Sequence, residues 1–236
     1  MIRVITFTDE NMTISANKLA ESAKHFDADD VAIYQPADLD AHFKATTLLP
    51  MLEGSRGYGW WVWKPYIILG HLMVACKPGD ILIYSDAGQE IVQPLQPIID
   101  SMDEDMMFFT NGFQHSHWCK LETATAINGE IEMPPYDSYK QIQASFIFFK
   151  VTQKVIDFVK EWYAYSIMPG MIDNVPRGTQ FPEFAEHRHD QAILTCLQIK
   201  YGYKQHWFPS TTNLHQRTEE KYGVTILHHR KRNNEW

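Results

Sequence analysis

Residues 79–88 read Gly79-Asp80-Ile81-Leu82-Ile83-Tyr84-Ser85-Asp86-Ala87-Gly88. The turn formers Lys77-Pro78-Gly79 lead into an apolar run over residues 80–84, and Ser85-Asp86-Ala87-Gly88 end it, which predicts a strand. The run is too continuously apolar to turn one side to water, so this strand belongs inside a sheet covered on both faces. In an open α/β sheet, ligands gather beyond the carboxyl ends of the strands, which gives Asp86 the position of a functional group. A carboxylate there can hold a divalent cation that neutralises a diphosphate. An Asp after a strand can equally start a turn or cap the following helix.

The flanking segments predict what surrounds this strand. Residues 2–7 form an apolar run, residues 10–26 place Met12, Ala16, Leu19, Ala23 and Phe26 at helical spacing, and residues 31–34 form a second short strand. Strand, helix and strand within about 35 residues is the βαβ signature, and its repetition implies an α/β fold with a mainly parallel central sheet flanked by helices. A helix over 64–76 carries Pro65 in its first turn, where a missing amide costs no intrahelical bond. Strands are predicted at 106–109 and 144–149, and Val155, Phe158, Val159 and Trp162 give 151–163 the period of a packed helix. Residues 167–184, with Pro169, Pro176 and Pro182, read as loop. A helix over 189–201 and short strands near 206–208 and 224–227 complete the pattern.

At 236 residues, with 44% hydrophobic and 13% aromatic side chains, the chain fits one globular domain spanning residues 1–236. Lys and Arg total 21 against 29 Asp and Glu, a formal charge of −8, which argues against a nucleic-acid partner. Cys76, Cys119 and Cys196 are too few and too dispersed for a disulfide framework or a cysteine-based zinc site, as expected of a reducing compartment. The opening residues MIRVITFTDE lack the apolar region and cleavage site of a signal peptide, and no run approaches the ~20 apolar residues that span a bilayer. The expected location is the cytoplasm.

Two charged positions stand out from the residues themselves. Lys64 is framed by apolar residues and leads into a helix, where it can pair with phosphate, and Arg56 in the loop before it is a second candidate. The surrounding tryptophans read as packing.

Three blocks, GYGWWVWKPYIIL (residues 57–69), GDILIYSDAG (79–88) and HRHDQAIL (187–194), together resemble a family of small GT-A-fold glycosyltransferases of bacterial surface-polysaccharide clusters and chlorella viruses. The resemblance covers most of the chain. It implies a GT-A-like single domain that moves a sugar from a nucleotide-sugar donor, a UDP-sugar, to a hydroxyl of a glycan or glycoconjugate acceptor. The Asp-x-Asp metal sequence of that class falls on Asp86-Ala87-Gly88, where the first acid is present and the second is glycine. Asp86 is then the metal ligand, with Ser85 and Ala87 beside the donor. Thr6, Phe7 and Thr8 lie where the resemblance puts the nucleobase and ribose. His228 matches a histidine metal ligand at the last strand end, followed by Arg230 and Lys231 on the diphosphate. An imidazole ligand favours Mn²⁺ over Mg²⁺. Asp190 matches the catalytic carboxylate, acting as general base or as stabiliser of an oxocarbenium-like transition state, and Gln191 a partner of sugar hydroxyls. Without the resemblance, Asp190 reads as a helix-start acid favoured by the dipole.

Two other classes compete. His187, His189, Asp190 and Asp86 could form the metal cluster of a hydrolase, although histidines two apart on a helix diverge. Surface aromatics alone would suffice for a non-catalytic carbohydrate-binding module, which leaves the carboxylate at the end of the most apolar strand unexplained.

Overall fold

The computed structural model describes residues 1–131, 136–210 and 222–236. Its strands are β1 (Ile2–Phe7), β2 (Asp30–Tyr34), β3 (Ile81–Ser85), β4 (Gln89–Ile91), β5 (Met106–Gln114), β6 (Lys140–Lys150), β7 (Gln205–Trp207) and β8 (Ile226–His228). Six of them form one sheet in the order β2-β1-β3-β6-β5-β7, and β4 pairs with β8 in a separate ladder. β1 runs parallel to β2 and β3, and β5 parallel to β7. β6 is antiparallel to both neighbours, so a sheet otherwise of one direction contains one reversed strand.

Both faces of the sheet are covered, as the apolar run of β3 requires. Alternation along β6 shows the division: Ile147 and Phe149 join one core, while Phe146 and Phe148 join the other. The first core is closed by the helices Trp63–Val74, Gln153–Ile167 and His189–Tyr201 through Ile68, Leu72, Val155, Trp162, Ile193 and Leu197. The second is closed by Thr13–His25 through Leu19 and Ala23, with Ile98 and Ile226 beside them. Each large apolar side chain buried in this way is worth roughly 1.5–3 kcal/mol, so a one-residue slip of β6 would be costly on two faces at once.

β5 and β6 outrun their expected lengths because their ends carry Thr110, Asn111, Gln141 and Gln143, polar residues that read as loop. The helix Leu121–Asn128 and β4 carry no strong local signal. Two of the three dispersed cysteines are brought together by packing: the Sγ atoms of Cys119 and Cys196 lie 3.6 Å apart in the core. Among the described residues, no helix is long and apolar enough to cross a membrane.

Candidate active site

A cleft of about 930 Å³ opens beyond the carboxyl ends of β1 and β3, within the usual range for small-molecule sites. Phe7 at the end of β1 and Thr8 after it line it, Asp86, Ala87 and Gly88 follow β3, and Asp190 and Gln191 enter from the start of the His189–Tyr201 helix. The reversed strand β6 contributes Gln141, Gln143 and Ala144. Its Ser145 carbonyl accepts a hydrogen bond from the Asp86 amide at 2.8 Å, tying the strand end in place.

A buried charge bridge forms the floor. The Lys64 ammonium, 3% exposed, lies 3.0 Å from Asp190 Oδ2 and 3.3 Å from Asp86 Oδ1, and it donates to the Ala144 carbonyl at 3.0 Å. The Asp190 contact is an ion pair whose angle leaves Oδ2 without an aligned donor among the described residues. Tyr84 Oη donates to Asp86 Oδ1 at 2.6 Å. Burial alone would pull the Lys64 pKa down, but the two carboxylates outweigh it and hold it above the usual value. Burial pushes Asp190 up to about 6, with Lys64 pulling the other way. Burial and the neighbouring Asp86 raise the Tyr84 phenol well above its ordinary range, so it stays a donor. The helix bearing Lys64 is anchored by Trp63, whose ring stacks on Phe7 at 3.9 Å and whose indole donates to the Gly57 carbonyl at 3.0 Å.

The turn before that helix is left-handed. Gly57, Tyr58, Gly59, Trp60 and Trp61 all have φ between 55° and 83°, and Tyr58, Trp60 and Trp61 carry Cβ atoms that cost about 1–2 kcal/mol each in this conformation. Stacking offsets part of the cost, since His189 lies under Trp60 at 4.5 Å and Trp61 at 5.5 Å.

The opposite wall comes from the C-terminal arm. β8 sets His228 opposite Gln89, and the amides of His229 and Arg230 both donate to the Gly88 carbonyl, at 3.1 and 2.9 Å. A Cβ at Gly88 would lie 2.8 Å from Arg230 Cα. Backbone therefore occupies the place where an Asp-x-Asp sequence would project its second acid. Arg230 Nε donates to His228 Nε2 at 2.8 Å. Burial first, then Arg230, pushes His228 down to about 4, so its ring is neutral at pH 7.

No protein-family model matches the sequence, and no curated protein matches it. Similarity is found among solved structures. The bifunctional glycosyltransferase WbbM superposes with a TM-score of 0.51 at 13% identity, over 88% of this chain and 38% of that one. The galactosyltransferase LgtC, in complex with donor and acceptor sugar analogues, superposes at 0.50 with 13% identity over 96% and 86% of the two chains. GlyE of Streptococcus pneumoniae superposes at 0.51 with 10% identity over 96% and 54%. The chain has the GT-A glycosyltransferase fold. It spans about four-tenths of the length of WbbM and about half that of GlyE.

Within this glycosyltransferase fold, Phe7, Thr8, Arg56, Lys64, Asp86, Ala87, Asp190, Gln191, His228 and Arg230 line one cleft. Three other residues singled out from sequence lie elsewhere. Thr6 is fully buried, Ser85 donates inward to Gln89 Oε1 at 2.7 Å, and the Lys231 ammonium sits 4.4 Å over the Trp236 ring, outside the cleft lining. Lys64 is reached by its two carboxylates and a carbonyl, where the sequence suggested a phosphate. Gln191 Oε1 accepts from the Ala144 amide at 3.3 Å.

The cleft also holds residues without a sequence signal. Arg188 pairs with Glu186 at 3.0 Å and lies 4.3 Å over the Trp118 ring, and Glu186 also meets Arg56 at 3.5 Å. Asn111, Phe113, Gln141 and Gln143 continue this side. The hydrolase cluster does not assemble. His187 Nδ1 accepts from the Lys120 amide, His189 donates to the Ile172 carbonyl, and among the described residues the group of potential metal ligands lies elsewhere.

Proposed function

We propose that the chain is a nucleotide-sugar-dependent glycosyltransferase that moves a hexosyl group from a UDP-sugar to a hydroxyl of a glycan or glycoconjugate. The observation that carries this reading is the shared lysine. Asp86 from a strand end and Asp190 from a helix start, far apart in the chain, meet on Lys64 at the floor of one large cleft. In this reading Phe7 and Thr8 border the nucleoside and Arg230 faces the diphosphate. Arg188 is a further phosphate candidate that the sequence did not single out.

The residues present fit a divalent cation, Mn²⁺ or Mg²⁺. Asp86 keeps a third of its side chain exposed to the cleft, and the His228 Nε2 lone pair, which accepts from Arg230 Nε, is the one a metal would take in place of that hydrogen bond. Asp86 and His228 would hold the ion, and an imidazole ligand favours Mn²⁺. When bound, it supplies charge neutralisation for the departing nucleoside diphosphate.

The remaining chemistry belongs to Asp190. With a pKa near 6 it is ionised at neutral pH yet more basic than an exposed carboxylate, which suits proton abstraction from the acceptor hydroxyl if the anomeric centre inverts. If configuration is retained, the same charge stabilises the oxocarbenium-like transition state. Lys64 keeps Asp190 ionised against its burial, and Tyr84 with Lys64 aims Asp86.

A screen of nucleotide sugars with mass detection of product tests the reaction. Calorimetric titration of UDP with and without Mn²⁺ tests the cation. We expect tight binding only with the metal, and equal affinity in both conditions would remove the metal from the mechanism.

A further inference from the structure

Away from the cleft, four side chains from separate segments converge in the core. His115 opens the turn His115–His117 after β5, Cys119 precedes the Leu121–Asn128 helix, Tyr136 opens the turn Tyr136–Ser138, and Cys196 lies within the His189–Tyr201 helix. Around Cys196 Sγ stand His115 Nε2 at 3.3 Å, Cys119 Sγ at 3.6 Å and Tyr136 Oη at 3.8 Å. His115, Cys119 and Cys196 are fully buried, Tyr136 is 4% exposed, and the ligand atoms of the first three lie within 4.8 Å of one another. Cys119 Sγ also reaches the Lys120 carbonyl at 3.4 Å, and His115 Nδ1 has no hydrogen-bond partner among the described residues.

Tetrahedral zinc, with Zn–S of about 2.3 Å and Zn–N of about 2.0–2.1 Å, sets sulfur–sulfur edges of about 3.8 Å and sulfur–nitrogen edges of about 3.5 Å. The Cys196–Cys119 separation of 3.6 Å and the Cys196–His115 separation of 3.3 Å are close to those edges. A thiol is a weak hydrogen-bond donor and acceptor, so hydrogen bonding alone is a weak reason for four donor groups from separate segments to converge on one buried point, whereas a shared cation accounts for the convergence.

We infer that His115, Cys119 and Cys196 form a structural zinc site, with the Tyr136 hydroxyl as fourth donor. Two thiolates and a neutral imidazole around Zn²⁺ carry no net charge, the one ionic arrangement a buried pocket accepts cheaply. Thiolate ligands select zinc over the hard cations suited to Asp86. The site would join the segment bearing Trp118, one wall of the cleft, to the helix bearing Asp190 and Gln191. It is independent of the proposed transfer reaction.

The test is metal content of the untagged full chain, purified without chelator and dialysed. Mass spectrometry of the metal should find one zinc per chain in the native protein and in Asp86→Ala, and less than a tenth of that in Cys119→Ser and Cys196→Ser. Because those variants can fail to fold, the native chain is also stripped anaerobically, which should lower its Tm until one equivalent of zinc restores it. Cobalt in place of zinc should give a thiolate charge-transfer band. A zinc-free protein with three titratable thiols and a Tm indifferent to zinc would overturn the inference in favour of a hydrogen-bonded cluster. A mass lower by two hydrogens, with one titratable thiol, would overturn it in favour of a Cys119–Cys196 disulfide.

Discussion

Asp190 and Lys64 separate binding from chemistry at the scale of single residues. Asp190→Asn keeps the size of the side chain but removes its charge and basicity. Turnover should fall by about 10² or more, the scale of losing a general base, while the Kd for UDP, measured by calorimetry, stays near the native value. A parallel loss of nucleotide affinity would move Asp190 into the donor site. The acid limb of kcat/KM should have its midpoint near pH 6, the Asp190 value. A folded pKa above the unfolded one means that the native state binds this proton more tightly, so the Asp190 contribution to stability declines as pH rises from about 4 to 6. Lys64→Met leaves two carboxylates facing each other across a buried floor. It should cost about 3–5 kcal/mol in urea unfolding and move the acid limb upward, because burial of Asp190 is no longer offset.

Two backbone elements explain features that local chemistry leaves odd. Gly59 sits at φ 83° in the left-handed turn, and its Cβ would come within 2.6 Å of Leu48 Cδ1. Gly59→Ala should lose about 1–3 kcal/mol, read as a lower Tm. It should also reduce turnover, since the turn holds Trp60 against His189. Gly88 raises the opposite question, because putting an acid there would seem to restore the Asp-x-Asp metal site. The Arg230 backbone fills that space, so Gly88→Asp should displace the C-terminal arm and weaken UDP binding by at least about tenfold, or about 1.4 kcal/mol. Tighter Mn²⁺ binding by this variant in calorimetry would show that the second carboxylate had been accommodated. The arm is docked to the Thr13–His25 helix rather than frayed. Asn233 Oδ1 accepts from the Ile14 amide at 2.9 Å, Ser15 Oγ donates to the Lys231 carbonyl at 2.6 Å, and the Trp236 indole donates to Ser15 Oγ at 3.1 Å.

For the whole molecule, ligand binding should appear as stability. UDP with Mn²⁺ at a hundred times Kd adds about 2.7 kcal/mol, which for a chain of this length corresponds to a Tm rise of about 5–10 °C. Chelation should abolish most of that rise, and His228→Ala should reduce it without lowering the Tm of the unliganded protein. A Tm that responds to sugars alone, and not to the nucleotide with metal, would indicate a carbohydrate-binding module in place of a transferase.

Local chemistry was enough to place the principal elements. Apolar runs and helical spacing located β1, β2, β3 and the principal helices because each buries one face or stripe, and that pattern is written within a dozen residues. Asp86 drew notice for the same reason, as an acid at the end of an apolar strand, whereas Asp190 drew notice only through the resemblance of residues 187–194. Relations between distant segments had no such local trace. The reversal of β6 depends on which strand edges its two apolar faces meet, not on its own composition. Lys64 looks like a phosphate ligand until packing brings Asp86 and Asp190 to it, and Gly88 looks like a missing acid until the Arg230 backbone lies against it. Cys119 and Cys196 are 77 residues apart and read as unrelated. Only the closing of the helices over the sheet sets their sulfurs in contact, because convergence is a property of packing and sequence separation does not encode it.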